Sequence, residues 1–304
     1  MLNHRLPTPL QPKRVVVLGA TGFVSSHLRR AFEGSGTRVR MVGSEEIDLT
    51  RPESAAALAK VIETEDTVVM TSMLTPDKGR DFRTSFRNLQ MAETVCRALE
   101  TRPCAHFLYL SSDAVYDGDG IPLDEKSSRQ PVDLYGLAHS YREMLVASVL
   151  APRGIPYCVL RPTNIFGPGN SHDNYGPNRF VRTAIDDRKI LLFGHGEEHR
   201  SHLYVDDAVW LINAAILRRS EGILNLAADP PLSFLDVAEA VARNCSEPVK
   251  IDFAVRAVPL VHRPYNVSAL FGSFPDFEYT PFERGIRTHL EFARQRRLRT
   301  NPEK

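Results

Sequence analysis

Tyr135 and His139 stand four residues apart in the stretch "YGLAHSYREML". On a helix that spacing puts both side chains on one face. A phenol beside a basic ring is an acid/base pair, suited to moving the proton of a hydroxyl or a carbonyl. A tyrosine ordinarily titrates near ~10 and needs help from a positive neighbour at neutral pH. Histidine is a weak source of that help, because its ordinary value is about 6.5 and much of it is neutral at pH 7. Upstream, "YLSSDAVYDGD" ends an apolar run with Ser112 and Asp113, a hydroxyl and a carboxyl. Asp113 suits a hydrogen bond to a ligand hydroxyl, or equally a turn beside Gly118 and Gly120.

A second chemical signal is "VVVLGATGFVSS", which places Gly19 at the end of an apolar strand and Gly22 at the start of a helix. Glycine permits the tight turn and lets backbone approach a pyrophosphate, and the helix N-terminus offers it N–H groups and a positive dipole end. The dinucleotide fingerprint has a third glycine three residues later. Ser25 stands there, small enough for close helix–strand packing. The residue after the second strand selects between dinucleotides, a carboxylate favouring NAD. Gly43 or Ser44 occupies it, with Glu45 and Glu46 late and Arg38 and Arg40 nearby, so NAD and NADP both stay open. Asp48 and Leu49 are placed to reach an adenine, or to form a helix-capping turn.

The elements that must carry these residues alternate. Strands are predicted at 14–20, 38–43, 67–73, 106–112 and 157–162, with helices at 23–34, 50–63, 81–100 and 135–150. The first helix ends on Gly34, and the second opens with Thr50 and Glu53 in capping-box spacing. Such alternation predicts a doubly wound parallel sheet with helices on both faces and ligands outside the strand carboxyl ends. After residue 165, "IFGPGNSHDNYGPNRF" reads as a loop into a second, smaller lobe. A helix at 205–219, a strand at 222–228 and a helix at 233–245 follow. The expected division is a dinucleotide-binding domain over 13–165 with a return segment near 203–228, and a mainly substrate-binding lobe over 166–304. Residues 1–12, with three prolines, read as a flexible tail rather than a signal peptide.

Composition narrows the class. The 304 residues are 42% hydrophobic and 25% charged with a formal net charge of +1, so nothing global points to nucleic acid or a membrane surface. No apolar run approaches the roughly 18 residues of a membrane span. Cys96, Cys104, Cys158 and Cys245 are scattered, without zinc or dithiol spacing. A cytoplasmic protein with reduced thiols and no metal is expected.

With these motifs in hand, the chain resembles the extended short-chain dehydrogenase/reductases, and within them the NAD-dependent epimerase/dehydratase group acting on nucleotide sugars. "LRPTNIFGPGN", "GHGEEHRSHLYVDDAV" and "HRPYNVSAL" followed by "YTPFERGIRTHL" agree with that group in order, over about residues 13–290. The resemblance implies a Rossmann-like α/β fold. It implies Tyr135 as acid/base, Ser112 bonding the same oxygen, and a cofactor, NAD or NADP, held by Gly19, Thr21, Gly22, Phe23, Val24, Asp48, Leu49, Thr71, Ser72, Tyr135, His139 and Pro162. It implies Asn164, Arg179, Arg200 and Arg263 on a nucleotide-sugar substrate, and a homodimer built on paired helices.

The group's pattern is Tyr-x-x-x-Lys, in which lysine bonds the nicotinamide ribose and lowers the tyrosine pKa; here His139 replaces it. Two readings follow: an enzyme with a tuned acid/base pair, on which His139→Lys preserves or raises activity, or a dinucleotide- or sugar-binding regulator without turnover. The 4,6-dehydratases it resembles carry Asp-Glu where this chain has Asp113-Ala114, which removes the base for eliminating water. GDP-fucose synthases use a Cys and a His for double epimerisation; their places look like Asp113 and Asn178, with His172 near in sequence. The 4-epimerase and 4-keto-sugar reductase reactions remain.

Overall fold

The computed structural model describes residues 2–117, 122–170 and 176–300. Gly118, Gly120 and His172, singled out above, lie outside the described residues.

Strands β1 (Asn3–His4), β2 (Val15–Leu18), β3 (Val39–Val42), β4 (Thr67–Met70), β5 (His106–Leu110) and β6 (Tyr157–Pro162) precede β7 (Asn164–Phe166). The helices among them are α1 (Phe23–Ser35), α2 (Ser54–Val61), α3 (Phe82–Thr101) and α4 (Leu134–Leu150). Then come α5 (Gly176–Asp186), β8 (Lys189–Phe193), β9 (His199–Arg200), β10 (His202–Tyr204), α6 (Val205–Leu217) and β11 (Ser220–Leu226). The chain closes with β12 (Leu232–Ser233), α7 (Phe234–Arg243), β13 (Lys250–Ala254), α8 (Ser268–Ser273) and α9 (Phe282–Thr300).

The main sheet runs β1-β11-β6-β5-β4-β2-β3, parallel throughout except at β1. Its strands are apolar runs because helices cover both faces. Alternate residues of β2 feed opposite cores: Val15 and Val17 pack with α1 and α6, while Val16 and Leu18 pack with α2, α3 and α4. The strand order reverses between β2 and β4, and that switch point opens a crevice at the carboxyl ends. Residues 220–226 return to the same sheet as β11, beside β6. Beyond it, α5, α7 and α9 pack together over the β8–β13 pair.

Four local expectations differ. The N-terminal segment is not a loose tail. Leu2 is buried, β1 pairs antiparallel with β11, and His4 bonds Ser220 and the Ser273 carbonyl. These bonds close the open edge of the sheet, which a two-residue strand gives no periodicity to announce. Helix α1 runs past Gly34, and Gly36 at φ 70° provides the left-handed stop. The second helix starts at Ser54 with no side-chain cap, because Thr50 spends its hydroxyl on Asp48. The "loop" after residue 165 contains α5, where Phe180, Val181 and Ala184 bury one face despite Gly176 and Pro177 at its start. Proline is compatible with a first helical turn, so the Gly/Pro signal misled.

Candidate active site

The glycine loop sits at the switch point. Gly19 has φ 106°, and a Cβ there would meet the Ser72 backbone nitrogen at 2.9 Å, so the ends of β2 and β4 approach as only glycine allows. Gly22 caps α1 without a capping side chain, and the first turn holds no acidic residue. Its N–H groups and dipole therefore face the crevice uncompensated by the chain itself. Ser25 does more than fit: it is fully buried and its Oγ lies 2.7 Å from Thr71 Oγ1, which in turn donates to the Leu18 carbonyl. Thr21 is exposed at the loop, while Phe23 and Val24 pack against the core below it.

Asp48 takes the capping-turn alternative. Its Oδ1 accepts from the hydroxyl (2.7 Å) and N–H (3.0 Å) of Thr50, and these bonds hold its carboxyl below the usual range. The Leu49 side chain is buried in the α2–α3–α4 core. Arg40 is paired with Glu46, and Arg38 is exposed.

Helix α4 carries the acid/base pair. Asp133 caps it, accepting from Gly136 N–H at 2.8 Å, so Tyr135 lies in the first turn at the positive dipole end. A cleft opens beside Tyr135, lined also by Leu74, Asp81, Thr84, Asn88 and Asp133. Asn88 shapes it by bonding both the N–H and the carbonyl of Leu74. Gly136 brings the start of α4 onto the turn that follows β5: a Cβ would stand 2.0 Å from the Ala114 carbonyl oxygen. The Ser112–Asp113 turn and Tyr135 are thereby held side by side. Within that turn Ser112 Oγ accepts from Ala114 N–H at 3.1 Å.

Beneath it lies a buried ionic frame. Arg161 donates to both oxygens of Glu143, at 2.9 and 2.6 Å, and Ser111 donates to Glu143 Oε1 at 2.6 Å. Arg161 also donates to Tyr116, which donates to Asn225. The frame ties β5, β6, β11 and α4 together directly under Ser112. The Arg161–Glu143 pair is bonded through both oxygens, and a buried ion pair of this kind fixes geometry more than it adds stability.

His139 is only 1% exposed. Its ring meets that of Tyr135 edge-on, centroids 4.7 Å apart, and its Nδ1 lies 2.7 Å from the Tyr109 hydroxyl. Burial, with the Arg142 charge adding to it, pushes its pKa well below the ordinary value, so the ring is neutral. Arg142 is itself fully buried, one turn on, with its guanidinium 5.0 Å above the Tyr109 ring. It donates to the Ser72 carbonyl at 2.7 Å and to Met73 Sδ. A lysine at position 139 would place an ammonium beside this guanidinium. Ser72 Oγ and His139 Nε2 are buried and lack partners among the described residues. These two polar atoms and the Gly19–Gly22 cradle fit a bound dinucleotide.

On the far wall, Tyr265 donates to Asp113 Oδ2 at 2.9 Å. Burial raises the Asp113 carboxyl, against the opposing pull of Arg263, Tyr265 and Arg200. Arg200 pairs with Glu198 and donates to the Val261 carbonyl, and Arg263 Nε has no partner among the described residues. Asp113, Arg200 and Arg263, far apart in the chain, form one cluster in the fold. Asn164 lies on β7 in register with His202, and Pro162 ends β6 opposite Leu226. Arg179 is placed differently, its guanidinium over the Phe193 ring at 5.8 Å. Asn178 accepts from Gly167 N–H and is a packing residue of α5. Tyr109, Gly136, Glu143 and Tyr265 were not anticipated. Only Gly136, a glycine inside a helical pattern, carried a signal that could have been read.

The description of the NAD dependent epimerase/dehydratase family matches residues 15–227. The dTDP-D-glucose 4,6-dehydratase of Dictyostelium discoideum is 31% identical over 150 residues, 44% of this chain and 34% of that one. The trifunctional UDP-glucose 4,6-dehydratase/UDP-4-keto-6-deoxy-D-glucose 3,5-epimerase/UDP-4-keto-L-rhamnose-reductase of Arabidopsis thaliana is 22% identical, covering 93% of this chain and 47% of that one. The chain thus spans half or less of the length of these two relatives. Among solved structures, UDP-glucose 4-epimerase of Thermus thermophilus with NAD superimposes with a TM-score of 0.79 at 20% identity, covering 92% and 99% of the two chains. RMD of Pseudomonas aeruginosa with NADPH gives 0.81 at 21% identity, covering 93% and 99%. The switch-point glycine loop, the serine turn, the helical tyrosine and this match over most of the chain agree, and the chain belongs to the NAD dependent epimerase/dehydratase family.

Proposed function

We propose that this protein is a nucleotide-sugar oxidoreductase of the epimerase/4-keto-reductase type that uses NAD or NADP. The observation that carries the reading is the apposition, through Gly136, of Tyr135 and the Ser112 turn beside the dinucleotide crevice. NAD(P), when bound, supplies an acceptor or donor of hydride for a sugar carbon. Gly19, Gly22 and the α1 N-terminus hold its pyrophosphate. Tyr135 takes the proton of the sugar hydroxyl on oxidation and returns it on reduction. Ser112 donates to the same oxygen and holds it in line. Asp113 bonds a neighbouring sugar hydroxyl, and Arg200, Arg263 and Asn164 bind the nucleotide diphosphate, for which the guanidinium fork is well shaped. Arg179, whose guanidinium sits over the Phe193 ring, is left out of this set. Ala114 offers no carboxylate to abstract a carbon-bound proton, which favours epimerase or reductase over dehydratase.

Leu137, Tyr141 and Met144 on α4, with Phe82 and Phe86 on α3, form an exposed apolar stripe. A second copy of the chain is the proposed occupant, giving a homodimer through paired α3 and α4. Sedimentation should give twice the chain mass, and Leu137→Glu with Met144→Glu should give monomers.

The neutral, buried His139 favours a second reading, a nucleotide-sugar-binding regulator without turnover. Mass spectrometry of what the purified protein releases on denaturation separates the possibilities. Retained NAD with a nucleotide sugar supports an epimerase, and an empty protein that binds NADPH supports a reductase. Tyr135→Phe should lower turnover of the released sugar at least ~100-fold. Undiminished turnover would remove Tyr135 from the mechanism.

A further inference from the structure

Tyr109 and His139 form a buried pair that the proposed mechanism does not explain. Both side chains are 1% exposed. The phenol has one proton, and the acceptor within hydrogen-bond geometry is His139 Nδ1 at 2.7 Å. Ser111, its neighbour in the chain, already donates to Glu143. An imidazole nitrogen is a stronger acceptor than a serine hydroxyl, and the guanidinium 5.0 Å above the phenol ring makes its O–H a better donor. The opposite arrangement, with Nδ1–H donating, would leave the phenol proton of a buried tyrosine only the Ser111 hydroxyl, a weaker acceptor than the imidazole nitrogen. It would also leave Nε2 as a bare lone pair. Burial disfavours doubly protonated histidine, and the Arg142 charge one helical turn away, with no carboxylate paired to it among the described residues, acts in the same direction.

We propose that Tyr109 is a positioning residue: its O–H donates to His139 Nδ1 and fixes the ring as the Nε2–H tautomer. The buried Nε2–H, with no partner among the described residues, is then a neutral, pre-oriented donor to a ribose hydroxyl of the bound dinucleotide. The chain thus replaces a flexible ammonium by an aligned N–H whose direction is set from the sheet behind it. The target of this donor rests on the proposed function; the tautomer does not.

The test is nitrogen NMR of protein labelled with 15N-histidine, with His139 assigned by its loss in His139→Gln. The parent should show an unprotonated Nδ1 and a protonated Nε2, unchanged between pH 6 and pH 8. Tyr109→Phe keeps the ring packing and should yield a mixture of tautomers. Its affinity for NADH or NADPH, followed by fluorescence titration, should fall roughly fivefold or more. In a His139→Gln background, where the amide N–H needs no tautomer, Tyr109→Phe should leave that affinity unchanged. A protonated Nδ1 in the parent, or an unaltered tautomer in Tyr109→Phe, would overturn the proposal. An equal loss of affinity in both backgrounds would also overturn it, by reducing Tyr109 to packing. Failure of the unsubstituted protein to bind either dinucleotide would instead defeat the proposed function and the donor's target, and the nitrogen signals would still decide the tautomer.

Discussion

Gly136→Ala is the most direct probe of how α4 is seated. A glycine-to-alanine change inside a helix ordinarily stabilises by about 1 kcal/mol. At Gly136 the new Cβ would stand 2.0 Å from the Ala114 carbonyl oxygen, 2.8 Å from its carbon and 3.0 Å from Pro131 Cβ. Ordinary contact begins near 3.4 Å, so helix and turn must separate by roughly 1.4 Å. The obstacle is backbone and cannot rotate away, which puts the cost at or above the ~3 kcal/mol end of the overpacking range. The net loss is about 2 kcal/mol, or a fall in Tm of roughly 2–5 °C. Separating Tyr135 from Ser112 by that distance should also lower turnover about 100-fold. Urea and thermal unfolding measure the first effect, and steady-state kinetics on the identified sugar the second. Gly34→Ala is the control: nothing lies within 4 Å of its Cβ, so it should stabilise by a few tenths to 1 kcal/mol. A Gly136→Ala protein that unfolds at or above the parent's midpoint would refute the seating of α4 on the serine turn.

Two further outcomes follow from burial. His139→Lys should destabilise by about 3 kcal/mol or more, because a second cation enters beside a buried guanidinium; adding Arg142→Met should recover at least ~1 kcal/mol, and a single variant as stable as the parent in urea would contradict the charge placement. Burial lowers His106 to about 4, His202 to about 3 and His289 to about 4. Their folded values lie below the unfolded 6.5, so the unfolded chain binds more protons as pH falls, and stability present at pH 7.5 is lost below pH 6.5. At pH 5.5 each site should cost about 1.4 kcal/mol, about 4 kcal/mol together, and equal urea midpoints at pH 7.5 and pH 5.5 would show that these rings are not buried neutral.

Strand and helix alternation, the glycine loop, the serine turn and the tyrosine were legible in the residues because each rests on local periodicity or on a motif within one turn of chain. Apolar runs such as "VVVL" have one stable use, a sheet covered on both faces, so the α/β class followed. Other features needed partners distant in sequence. Asn3 and His4 become a strand only because β11, more than 200 residues on, offers an open edge. Tyr265 reaches Asp113 across 152 positions. His139 could be identified as a substitution for lysine, but its burial, neutrality and orientation are set by Tyr109 from the sheet and Arg142 from the next turn. The sequence determined which groups are available for chemistry. The tertiary structure decided their charge and direction, because desolvation and hydrogen-bond accounting act on neighbours in space.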